Sequence, residues 1–91
     1  MGKHKIKADD ANTIGTNIRR IRLDEGIGQT EMASRVQLFN VPLTRESLVK
    51  IEGGRQHISL EQLKAIREIL GCSYDDLLED PAPAEKKGGH K

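Results

Sequence analysis

Apolar residues recur at helical spacing along most of this chain, and a few Gly and Pro residues interrupt the recurrence. Ile14, Ile18 and Ile21 form one stripe with Arg19 and Arg20 outside it, which predicts a first helix capped by Asp10 or Asn12 and ended by Gly26. A second helix is predicted from Gly28, with Glu31 near its positive end and Met32, Ala33, Val36 and Phe39 repeating on one face. Asn40, Val41 and Pro42 break that pattern, because proline biases its predecessor toward extended geometry. The stretch LTRESLVKIEGGR, Leu43 to Arg55, then reads as a third helix with two different faces. At about 100° per residue, Thr44, Leu48, Ile51 and Glu52 share one side, while Glu46, Val49 and Lys50 lie opposite with Arg45 and Ser47 flanking. Thr44 is a good N-cap and Gly53-Gly54 a natural stop, so about three turns, roughly 15 Å, are expected.

Ser59 and Gln62 have the spacing of a capping box, and Ile58 and Leu63 that of a hydrophobic staple. The fourth helix they open carries Leu60, Leu63, Ile66 and Leu70 as its buried stripe and ends at Gly71. Ser73 caps a short fifth helix with Asp75 and Asp76 in its first turn, Leu77 and Leu78 turned inward, and Pro81 as its stop. No strand pattern and no internal repeat is present. The predicted class is all-α, with a basic arm at 1–11, a helical domain at 12–80 and a disordered tail at 81–91.

Ninety-one residues make one domain that buries about 60 to 65% of its unfolded surface. With one Phe, one Tyr and no Trp, its core must be aliphatic. The single Cys72 excludes an internal disulfide and a cysteine-based zinc cage, which fits a reducing compartment, with cytoplasm as the expectation. No apolar run approaches a membrane span, Met1 to Lys7 lacks the core of a secretory signal, and Ile6 stands where a myristoylation motif after Gly2 needs Ser or Thr. Charge is divided unevenly. Residues 1–55 carry ten Lys/Arg against seven Asp/Glu, about +3, whereas residues 56–80 carry two against six, about −4.

The order IGTNIRRIRLDEGIGQTEMA, LTRESLVKIEGGR, ISLEQLKAIREILGCSYDDLL resembles the Cro/C1-type helix-turn-helix domain, the lambda-repressor-like fold also called the xenobiotic-response-element family. The likeness spans about Ile14 to Leu78 and is carried by the conjunction of Arg22, GQTEMA, KIEGGR and SLEQL. It implies a five-helix lambda-repressor-like domain with helices two and three as the DNA-reading unit. By that resemblance Arg45, Glu46, Val49 and Lys50 face base edges in the major groove. Gln29, Thr30, Thr44, Ser47, Arg55 and Arg19 are the candidates for phosphate contacts, with His57 as a further one. Arg22 and Glu52 match a pair that forms a salt bridge between helices one and three in many members; two unrelated surface charges are the alternative. Two departures stand out. Gly28 replaces the usual Thr or Ser before Gln29, and Ala33 to Glu52 spans 19 positions, roughly five more than the usual tight turn allows. The extra VQLFNVPL is expected to lengthen helix two and insert a short loop, with Asn40 to Leu43 near the DNA backbone.

Other chemistry finds little support in the residues. His4, His57 and His90 share no metal-ligand spacing, so no metal or cofactor is expected. Gly53-Gly54-Arg55 lacks the Lys-Ser/Thr of a phosphate-binding P-loop, and no nucleophile, base and orienting group can be assembled into an enzyme. Cys72 reads as packing and Met32 as core. The resulting expectation is a bacterial or phage-type transcription regulator, a repressor that binds double-stranded DNA at an inverted repeat as a homodimer, joined through the acidic region around helices four and five, with no membrane and no small-molecule ligand. The competing expectation is an antitoxin-like or adaptor module that binds protein.

Overall fold

Helices α1 (Ala8–Asp24), α2 (Gln29–Gln37), α3 (Arg45–Glu52), α4 (Leu60–Leu70) and α5 (Tyr74–Leu78) succeed one another in the computed structural model, which describes residues 8–80. No strand occurs among the described residues. None of these helices is long and apolar enough to cross a membrane. α1 starts ahead of Asp10 and Asn12, the expected caps, because no Gly or Pro separates Ala8 from Asn12 to stop the helix running back. Residues 8–11 of the expected arm are therefore helical. Residues 1–7 and the tail 81–91 lie outside the described residues.

α1 is the central strut. It packs on α3, α5 and α4, while α2 packs on α3 and α4. The core where these meet is aliphatic: Ile18, Met32, Val36, Leu48, Ile51, Ile66 and Leu77 are all at or below 1% exposure. Each such side chain stabilises the fold by about 1.5–3 kcal/mol. Ile14 and Ile21 pack at the margin of this cluster. Asn17, also buried, donates from Nδ2 to the carbonyls of Leu77 and Glu79 at 2.9 and 2.8 Å, which satisfies the C-terminal end of α5 and fastens it to α1.

The ends of the helices follow from local chemistry. Ser59 Oγ accepts from the Gln62 amide at 3.1 Å while Gln62 Oε1 accepts from the Ser59 amide at 3.0 Å, a closed capping box that starts α4. Ser73 and Asp76 build a second box at α5. Gly71 ends α4 in the left-handed region at φ 66°, which a residue without Cβ adopts freely.

Three apolar positions depart from the pattern. Phe39, expected on the buried stripe of α2, is 48% exposed, because the amides of Leu38, Phe39 and Asn40 turn back onto carbonyls three residues earlier and the helix has already stopped at Gln37. Leu60, expected in the stripe of α4, is 65% exposed: it is the first residue of the helix, on its edge. Leu78, expected inward, is 46% exposed, since a five-residue helix aims only Leu77 at the core and its neighbour points about 100° away.

Cys72 is partly buried and packs against the core cluster. Burial pushes its thiol above the ordinary value of 9.0, and the negative charge of Asp76 adds to the rise. A raised thiol pKa leaves less thiolate near pH 8, so iodoacetamide is expected to alkylate the folded protein more slowly than the urea-unfolded one. Equal rates in a mass-spectrometric time course would contradict this.

Candidate nucleic-acid interface

α3 begins where Thr44 Oγ1 accepts from the Ser47 amide at 3.0 Å, the N-cap expected of a threonine in extended geometry. It runs for eight residues, about 12 Å at 1.5 Å per residue, which is shorter than the expected three turns because Gly53 already leaves the helical region. Its inner face buries Leu48, Ile51 and Glu52. On the other side Arg45, Glu46 and Lys50 are exposed, and Val49 and Ser47 are half-buried. This outward set is brought together on one short, capped rod whose orientation is fixed by what lies behind it.

Behind it is a buried polar network. Arg22 Nε and Nη2 donate to the two carboxylate oxygens of Glu52 at 2.7 and 2.9 Å, and Arg22 Nη1 donates to the carbonyl of Ile27 at 2.8 Å. Gln29 Nε2 donates to Glu52 Oε1 at 3.1 Å. The two charged side chains are only 5% and 3% exposed. Four segments are thereby tied at one point: α1 through Arg22, the turn after it through Ile27, the first residue of α2 through Gln29 and the last residue of α3 through Glu52. Fork-to-fork geometry gives direction as well as attraction, so the network sets the angle between α2 and α3. Gly15 lets α1 approach closely on the same side: a Cβ there would lie 2.1 Å from the carbonyl oxygen of Ile51.

The connection between α2 and α3, residues 38–44, takes up most of VQLFNVPL, so the insertion builds loop and does not lengthen α2. Asn40 turns the chain at φ 62°, a left-handed conformation that asparagine tolerates. Gln37 Nε2 then donates to the carbonyl of Leu43 at 2.7 Å, Gln62 Nε2 to that of Pro42 at 2.9 Å, and Leu43 is buried. Anchored at three places, the longer loop delivers Thr44 to a defined position. Only Asn40 and Pro42 of Asn40 to Leu43 are exposed; Val41 is half-buried.

The remaining candidates flank this rod. No side chain caps α2 at Gly28, so the amides of its first turn stay open beside exposed Thr30. Gln29 is half-buried and spends its amide nitrogen on Glu52. Arg19 is exposed and lies one helical turn from both Gly15 and Arg22, on the flank of α1 that meets α3. Arg55 and His57 are exposed in the segment between α3 and α4. Arg19, Arg45, Lys50 and Arg55 are exposed cations on these elements, beside the carboxylates of Glu46 on α3 and of Glu31, paired with Arg35, in the first turn of α2, while exposed Asp75, Asp76, Glu79 and Asp80 belong to α5 and the residues after it. Among the described residues no group of three or more His, Cys, Asp or Glu could hold a metal ion.

Sequence reasoning missed Gln37, Gln62 as a bridge to Pro42, Asn17 and Gly15. Only Gly15 carried a signal, as a glycine inside a helical pattern with isoleucines on either side. The others are polar residues whose partners are backbone carbonyls distant in the chain or across a loop, and no spacing rule marks such partners.

The sequence model of the helix-turn-helix family matches residues 18–77. Among solved structures, the chain is similar to the clp gene regulator ClgR from Corynebacterium glutamicum, with 26% identity and a TM-score of 0.64 over 81% of this chain and 71% of that one. Its fold is also similar to that of the hypothetical transcription factor NHTF from Neisseria, with 23% identity, TM-score 0.72 and coverage of 99% and 97%. The DNA-binding domain of BldD shares the fold at 18% identity and TM-score 0.67, over 81% of this chain and 100% of that one. No curated protein matches the chain.

Proposed function

The chain belongs to the Cro/C1-type helix-turn-helix family, and from that premise we propose that it is a transcription regulator that binds double-stranded DNA by laying α3 in the major groove. The observation that carries this reading is the division of α3: Leu48, Ile51 and Glu52 are locked inside while Arg45, Glu46 and Lys50 stand exposed on the other side. Arg45 has the fork geometry to pair bidentately with guanine, Glu46 accepts from the cytosine amino group, the free edge of Val49 meets a thymine methyl, and Lys50 takes guanine or a phosphate. The open amides at the start of α2, with Thr30, receive one phosphate, and Thr44, Ser47, Arg55 and Arg19 hold the flanking backbone. Gln29 acts here by positioning Glu52, with its backbone amide facing the phosphate. One short helix reads only a few base pairs, so two copies on an inverted repeat with half-sites about 34 Å apart complete the site. Occupation of a promoter by that dimer represses transcription in the cytoplasm of a bacterial or phage-infected cell.

Titration against duplex DNA across a salt series tests the reading. Log affinity is expected to fall linearly with log salt, at a slope of about −0.9 per phosphate contacted. Arg45→Ala is expected to weaken binding by about 1–3 kcal/mol, roughly 5- to 150-fold. A chain that serves as a protein adaptor would show neither the slope nor the loss.

A further inference from the structure

α3 is held unevenly along its length. Its second half rests on the core through Leu48 and Ile51 and on the fork from Arg22 through Glu52, whereas none of Arg45, Glu46 and Ser47, with which it begins, is buried. What fixes that beginning is the chain leading into it. Leu43 is buried, and the carbonyls of Pro42 and Leu43 are each taken by a glutamine from a different helix. Gln62 Nε2, in the first turn of α4, donates to Pro42 at 2.9 Å, and Gln37 Nε2, at the end of α2, donates to Leu43 at 2.7 Å. Pro42 has no N–H to give, so the loop is fastened there through its carbonyls. The other end of the Gln62 amide works elsewhere: Oε1 accepts from the Ser59 amide at 3.0 Å and closes the capping box of α4. A glutamate closes such a box as well, but only a carboxamide has a donor left over for Pro42.

We propose that Gln62 is a positioning residue for the reading of DNA: its amide nitrogen, through the carbonyl of Pro42, holds the start of α3 at the angle that brings Arg45 and Glu46 to base edges. The far end of α3 is clamped independently, by Arg22 and Gln29 on Glu52, so a released loop lets the helix pivot about that end. Arg45 lies seven residues from Glu52, about 10 Å, and a tilt of about 10° carries it about 2 Å, enough to part a bidentate pair with a base. Lys50, beside the pivot, moves far less. Phosphate contacts carry no sequence information, so discrimination between sequences falls while affinity for DNA in general is kept. This inference rests on the proposed reading of DNA by α3 and adds a residue that sets its accuracy without a DNA contact of its own.

The test combines Gln62→Glu with Glu61→Gln, which keeps the net charge and the capping box and removes the donor to Pro42; urea unfolding verifies that the fold is kept. Without DNA, hydrogen exchange at the amides of Ser47 and Leu48, which bond to Thr44, is expected to quicken about three- to tenfold relative to that of Ile66 in α4, the worth of one net hydrogen bond. With DNA, the ratio of affinities for a duplex carrying the motif selected by the wild-type chain and for a scrambled duplex is expected to fall by the same factor. Ser59→Ala, which opens the capping box but leaves the Pro42 contact, is expected to lower stability and keep the wild-type ratio. Exchange at Ser47 within about twofold of wild type, an unchanged ratio in the double variant, or an equal fall of the ratio in Ser59→Ala would overturn the proposal and leave the reading by α3 intact. A wild-type chain that prefers neither duplex overturns that reading, and the proposal with it.

Discussion

Arg22→Ala is expected to destabilise the fold by about 3–5 kcal/mol in urea unfolding monitored by circular dichroism. The size of the effect comes from what remains. With Arg22 gone, the Glu52 carboxylate is left without its cation, with Gln29 Nε2 as its one remaining donor among the described residues, and the carbonyl of Ile27 loses its partner. A stranded buried charge costs far more than the net worth of the pair it came from. Replacing Arg22 and Glu52 together by Met and Leu is accordingly expected to recover most of the stability, because the desolvation of both charges is then removed. The double variant should nevertheless bind DNA less well than its stability suggests, since the fork that fixes the angle of α3 is gone. A double-mutant cycle with a coupling below about 0.5 kcal/mol would contradict this description.

Gly15→Ala is expected to have an effect of the same order through a different cause. The added Cβ falls 2.1 Å from the Ile51 carbonyl oxygen and 2.8 Å from that of Glu52, and both are backbone atoms that no rotamer change can move aside. α1 and α3 must separate by about an ångström or more, which breaks core contacts along their length and draws Arg22 away from Glu52. Overpacking of well-filled cores costs about 1–3 kcal/mol, and a Cβ driven against immovable backbone atoms lies at or beyond the top of that range. Thermal unfolding should show a large fall in Tm. A variant as stable as wild type would mean that the two helices are not in such close contact.

How much of this was visible in the order of residues depends on where each signal resides. Helix existence and the two faces of α3 were legible, because Leu48 and Ile51 recur at helical spacing and the caps Thr44, Ser59 and Ser73 act within three residues of themselves. The pairing of Arg22 with Glu52 was accessible only through the family resemblance, since thirty positions separate them and no periodicity links them. The expected positions of Phe39, Leu60 and Leu78 failed for a common reason. Periodicity assigns a side to each residue but does not say where a helix stops or whether anything lies beyond its edge. The connection was misjudged likewise: its length was plain, but Gln37 and Gln62 clamp it through carbonyls of Leu43 and Pro42, which leave no mark in a pattern of side chains.

The most direct test of the central claim, that the outward side of α3 reads bases, is selection of bound duplexes from random DNA by the wild-type chain and by Arg45→Ala and Glu46→Ala. The expected outcome is a two-fold motif for wild type, with specificity relaxed at one different position per half-site in each variant while the rest is retained. Recovery of no motif by the wild-type chain, or of an identical motif by all three proteins, would contradict it.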